Sequence, residues 1–200
     1  MDPSLWDIDW SVGTPRHPRP YSDGSWYVDV PAASGADAGP TCKSRPSCPH
    51  LNMVVANPGG PLSGRLAADV QVEATPAPTY NFALDPTPPC AGDKALASLY
   101  FQQRGDDFSG QGKHQFYRWW SKRVIYLDEL TSTTLSVTLE TTNWISVYGK
   151  DGTQNPPAFA AAMADPVAVG LTFGGLCGSH HGLNVSGGTS RIIVLSYRME

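Results

Sequence analysis

Fourteen of the 18 prolines in this 200-residue chain fall between Pro15 and Pro89, and none falls between Cys90 and Asn155. Proline has no N–H to give to a sheet ladder, so central strands belong in the proline-free block, and edge strands and long connections belong before it. The segments Thr14 to Pro20, Pro31 to Pro49 and Thr75 to Asp93 accordingly read as extended, turn-rich loops. Loops of this length in a compact domain are often functional.

Between these loops, alternation of apolar and polar residues predicts strands at Trp26 to Val30, Leu51 to Ala56, Leu66 to Glu73, Ser98 to Arg104, Gln115 to Trp120, Val124 to Leu127, Thr134 to Glu140, Val167 to Phe173 and Arg191 to Arg198. The clearest is TLSVTLE, where Leu135, Val137 and Leu139 alternate with Ser136 and Thr138. One helix is signalled by NPPAFAAAMAD, with Asn155 as cap, Pro156 in the first turn, and Phe159 and Met163 on one face. No repeat of about 20 to 50 residues recurs, which argues against a propeller or solenoid. The expectation is an all-β, single antiparallel β-sandwich, jelly-roll in connection because the crossovers are long, with one short helix. Its division is an extended N-terminal arm, 1–24, and a sandwich domain, 25–200.

Composition narrows the partners. The net charge is −4, and the 14 Lys and Arg residues are scattered rather than clustered, so there is no basic field for attracting nucleic acid. No apolar run approaches the roughly 18 residues of a membrane span. The start, MDPSLWDIDW, has acids where a secretory leader would be basic. The expected locations are therefore outside the cell after leader removal, or a cytoplasm followed by assembly into a virion. Cys42, Cys48, Cys90 and Cys177 permit two disulfides, with Cys42 and Cys48 the natural local pair. Their spacing does not fit zinc. Asn184-Val185-Ser186 is a formal glycosylation acceptor, too short to carry weight.

Chemistry concentrates in LYFQQRGDDFSGQGKHQFYRWWS, Leu99 to Ser121, which reads as two strands around a glycine-rich turn. With period-two alternation, Tyr100, Gln102 and Arg104 share one face of the first strand. In the second, Phe116, Arg118 and Trp120 share a face and Tyr117 and Trp119 the other. Two readings stay open. In one, Trp119 or Trp120 fills the interior while Arg118 pairs with Asp106 or Asp107. In the other, the cluster meets a sugar, whose C–H faces lie on aromatic rings and whose hydroxyls bond to Arg, Asp, Asn and Gln. The candidate binding residues are Arg104, Asp106, Asp107, Tyr117, Arg118 and Trp119, with His180 presented nearby by the glycine-rich segment VGLTFGGLCGSHHG. Asp106 and Asp107 also offer hard oxygen donors to calcium, the one candidate cofactor, although paired acids are ordinary turn chemistry.

Catalytic signatures are lacking: the chain has no G-x-S-x-G, H-E-x-x-H, Walker or dinucleotide sequence. Gln102, Arg104, His114 and Tyr117 supply residue types that a β-elimination lyase uses, but without a specific spacing. At YRWWS and TFGGLCGSHHG the chain resembles uncharacterised bacterial and bacteriophage β-sandwich proteins with YRWWS and TFGG..GHG segments, over Leu99 to Tyr197. More distantly it resembles lectin-type and carbohydrate-binding jelly rolls. The sandwich-fold alginate lyases also look similar, but their Gln-Ile-His strand is absent, so no catalytic role is carried over. The resulting expectation is a non-catalytic glycan-binding module. Its alternatives are a structural virion protein of a bacteriophage, with a neighbouring subunit or a second copy as partner, and a polysaccharide lyase or hydrolase. Trp6 and Trp10 discriminate: a virion arm buries them against another subunit, and a free lectin leaves Met1 to Pro20 mobile.

Overall fold

The structure, a computed structural model, describes residues 2–10, 16–33, 49–82, 94–128, 132–175 and 181–200. Cys42, Cys48, Cys90, Cys177 and His180 lie outside the described residues, as does the expected Cys42–Cys48 bridge. The described strands are β1 (Trp6–Trp10), β2 (Arg19–Pro20), β3 (Trp26–Asp29), β4 (Leu51–Ala56), β5 (Arg65–Ala74), β6 (Thr79–Phe82), β7 (Leu96–Gln103), β8 (Arg118–Tyr126), β9 (Ser132–Thr138), β10 (Trp144–Ser146), β11 (Pro166–Gly174), β12 (Leu183–Ser186) and β13 (Ser190–Met199). One α-helix, α1 (Pro156–Ala164), lies between β10 and β11.

The strands form two antiparallel sheets. The larger runs β10-β8-β7-β11-β4-β12-β6, with β1 also paired to β4, and the smaller runs β2-β3-β13-β5-β9. Leu99, Phe101, Trp119, Val54 and Phe173 of the larger sheet and Trp26, Leu66, Val70, Leu135 and Val194 of the smaller close on one hydrophobic core. The protein is thus an all-β sandwich whose sheets curl into a half-barrel. The chain changes sheet after β1, β3, β4, β5, β8, β9 and β12, so its connections cross between layers rather than meander. In β9, Leu135 and Val137 point inward and the residues between them are more exposed, as the alternation dictates. The helix is capped as expected, with Asn155 Oδ1 accepting from Ala158 N–H at 3.3 Å and Phe159 and Ala162 buried.

Three expectations are corrected. The segment expected as an arm enters the sheet: Trp6 to Trp10 pairs along β4, and Trp6 packs at 5.0 Å from both the Trp26 and Tyr197 rings of its own core. The physical reason is the W-D-I-D-W alternation, which buries Trp6 and Ile8 and leaves Asp7 and Asp9 outward. Next, the expected strands 115–120 and 124–127 are one strand, β8. A bulge opposite Leu99 keeps the ladder intact, since Ser121 Oγ accepts from Leu99 N–H (3.0 Å) and donates to Arg123 C=O (2.6 Å). Finally, Gln115 and Phe116 lie in a short 3-10 turn, Gly112–Phe116, before the strand begins.

Asn184 of the formal glycosylation tripeptide is fully buried and its amide donates toward Pro49 C=O, so in the folded chain it is no acceptor. No helix among the described residues is long and apolar enough to cross a membrane.

Candidate functional site

The pairing of β7 with β8 sets Tyr100 opposite Trp120 and Gln102 opposite Arg118, while Phe101 opposes Trp119 on the core side. Trp119 is wholly buried, with Phe116 and Phe101 stacked on it at 6.2 and 6.5 Å and Phe159 edge-on at 5.0 Å. Its expected place in a ligand site is therefore corrected: strand parity gives it to the core, and of the two open readings the interior one holds for this residue.

Beyond β7, Gly105 takes a positive φ of 80° and turns the chain so that Asp106 folds back under the loop. Its carboxylate is completely covered, and Arg118 Nε stands 2.8 Å from Oδ2 in an ion pair. Gln102 Nε2 donates to the same oxygen (3.1 Å) and Phe108 N–H to the other (3.2 Å). His114 Nδ1 lies 3.6 Å from Asp106 Oδ1 and 3.3 Å from Asp107 Oδ1. Asp107 is exposed, and hydrogen bonds from Ser109 hold its carboxyl below the usual range. Tyr117 packs at 4.7 Å from the His114 ring. Arg104 turns away, pairing at 3.1 Å with Asp165 at the end of α1. Of the expected residues, Asp106, Asp107, Tyr117 and Arg118 are thus brought together, whereas Arg104 and Trp119 are not.

Phe108 and Tyr148 belong to the same place, though nothing in the sequence reading pointed to them. Both sit in the left-handed region, at φ 60° and 63°, where a bulky side chain is strained, and both rings are largely exposed. Arg118 Cζ lies 5.2 Å from the Phe108 ring centre. Gly110 is the joint between them: a Cβ built there would lie 3.0 Å from Val147 Cγ1 and 3.6 Å from both Arg118 Nη2 and the Tyr148 hydroxyl. The available signal was slight, a Tyr-Gly pair at 148–149 in which Gly149 is also left-handed.

Behind this rim the outer face of the sheet is polar yet covered. Ser98, Tyr100, Gln102 and Thr172 are buried there, and Ser98 Oγ lies 3.0 Å from Thr172 Oγ1. Burial pushes the Tyr100 phenol far up, and at the more exposed His181 partial desolvation, then the charge of Arg118, holds the imidazole below its ordinary value.

Asp106, Asp107 and His114 place one ligand atom each within 4.8 Å of one another. The donors do not fit calcium. That ion takes six to eight oxygens, whereas one carboxylate here is already neutralised by Arg118 and the third group is an imidazole. Away from this site, a partly open concavity of about 430 Å³ is lined by Asp29, Glu73 and Arg191 among others. Arg191 is held there by Asp29 at 2.7 Å and lies 4.0 Å from the Tyr27 ring centre.

Comparison with protein-family models, with curated proteins and with solved structures finds no match to this chain.

Proposed function

We propose that this chain is a non-catalytic carbohydrate-recognition module whose sugar lies on the rim formed by Phe108, Tyr148 and Arg118. The observation that carries this reading is the conformation of the two aromatics. A left-handed backbone costs on the order of 1 to 3 kcal/mol at each non-glycine residue, persists only where the surrounding structure imposes it, and clusters at functional sites. Here it occurs at two rings that add little to the core, since both remain largely exposed. Exposed rings offer flat faces to sugar C–H groups. Arg118 stands next to them with its guanidinium oriented by Asp106, and Asp107 and His114 add acceptor and donor groups at the edge.

Trp6 is taken up by its own chain's core, so the arm lends no support to the virion-subunit reading. Asp106 is tied to Arg118, which takes it out of consideration as a free acid for hydrolysis.

The test is a glycan-array screen of the purified protein with its solution mass measured by light scattering. Selective binding that disappears in Phe108→Ala and Tyr148→Ala, with unchanged circular dichroism, supports the module. A silent array together with a defined oligomer rejects it in favour of a structural subunit.

A further inference from the structure

We infer that the sugar taken by this rim is anionic, bearing a carboxylate or a sulfate. The inference rests on the recognition reading above and adds the charge of the ligand to it. The chain as a whole carries −4, so its overall field repels such a ligand and any preference must be local.

The cations around the rim divide into two groups. Arg118 and Lys122 are each matched by a carboxylate, of Asp106 and Asp151 respectively. Lys113 and Lys150 stand in no ion pair among the described residues. Instead the Lys113 ammonium lies 5.8 Å from the Tyr117 ring centre and that of Lys150 lies 5.4 Å from the Phe116 ring centre. Lys150 also donates to Gln115 Oε1. A ring face and a neutral amide position an ammonium without cancelling its charge, so both lysines stay available to an anion.

Their placement ties them to the aromatics. Lys113 sits in the turn Gly112–Phe116 that closes the Phe108 loop, and Lys150 follows Tyr148 across one glycine. Asp107, the exposed acid of the Phe108 loop, already accepts from Ser109 N–H at 2.9 Å and faces His114, and Asp151, which follows Lys150, is paired with Lys122. A neutral sugar would leave unused two positioned, uncompensated charges carried by the same chain segments as the rings, whereas an anionic one engages them.

Isothermal titration with three probes tests this: a β-linked glucose hexamer, a galacturonate hexamer and a sulfated galactose hexamer. At low salt one of the anionic probes should bind about tenfold tighter than the neutral one, equivalent to about 1.4 kcal/mol. The advantage should shrink toward parity near 1 M salt, where screening acts within about 3 Å. Which anionic probe wins tells carboxylate from sulfate. The double variant Lys113→Gln/Lys150→Gln should lose the advantage and keep its melting temperature and its affinity for the neutral probe. Equal binding of all three probes, or a preference that survives in the double variant, overturns the inference and leaves the recognition module standing. A protein that binds no sugar on the array overturns both.

Discussion

Asp106 and Arg118 form an ion pair whose acid is entirely covered and whose base is 15% exposed, with 2.8 Å between Nε and Oδ2. The pair ties the loop after β7 to the first residue of β8, and so fixes the height at which Phe108 stands above the sheet. Breaking one partner of a buried pair strands the other charge and costs about 3 to 5 kcal/mol. We expect Asp106→Ala to lose stability on that scale in urea unfolding, and Arg118→Ala to fall toward its lower end because the stranded carboxylate keeps Gln102 and Phe108 N–H as partners. The double variant should lose less than the sum. Additive losses would mean that the two side chains act independently.

Tyr148→Gly and Tyr148→Ala separate strain from function. Both remove the ring and should abolish sugar binding equally. Glycine occupies the left-handed region without penalty, so Tyr148→Gly should be more stable than Tyr148→Ala by about 1 kcal/mol. Equal melting temperatures for the two variants would show that the backbone at 148 relaxes out of that region when the ring is gone.

Trp119→Ala is expected to cost about 3 to 5 kcal/mol, as large aromatic truncations in cores do. Phe108→Ala removes a ring that is 57% exposed and should change stability little. Thermal melts of the two side by side distinguish the interior ring from the surface one. If Trp119→Ala melts with the wild type, its assignment to the core fails.

His181 contributes a pH dependence of definite sign. Its folded pKa lies below the ordinary 6.5, because partial desolvation by its neighbours, then the charge of Arg118, disfavours the imidazolium. The unfolded chain therefore binds the proton first, and stability is lost as pH falls through about 6.5 and below. Comparing melts at pH 8 and pH 5, His181→Gln should show a smaller loss than the wild type. A larger loss in the variant would reverse the assignment.

Much of the scaffold was readable because its signals are local. The alternation of TLSVTLE located β9, and Asn155 with Pro156 located the start of α1. Strand parity also put Arg118 and Trp120 on one face and Trp119 on the other, and the Arg118–Asp106 pair was one of the two readings held open. What escaped was set by distant partners or by rare backbone geometry. β12 and β10 are short strands that exist because β4, β6 and β8 supply their ladders, so their own residues carry little periodicity. β1 does carry its alternation, but the proline-rich stretch that follows it made the N-terminal part read as an extended arm. Phe108 and Tyr148 escaped for a different reason. Positive φ is flagged in a sequence by glycine or asparagine, and aromatics adopt it only when their surroundings impose it.

In the smaller sheet, β13 lies between β3 and β5 and pairs with both, so among the described residues it is the strand that joins them in the ladder. A ribosome therefore emits β3, β5 and β9 well before the strand that joins them, and during that interval β3 and β5 each present an open edge. Assembly of this layer is gated by the emergence of residues 190–199. A nascent chain stalled ahead of that point would be prone to edge-to-edge association, a risk that the finished protein no longer carries at those two edges.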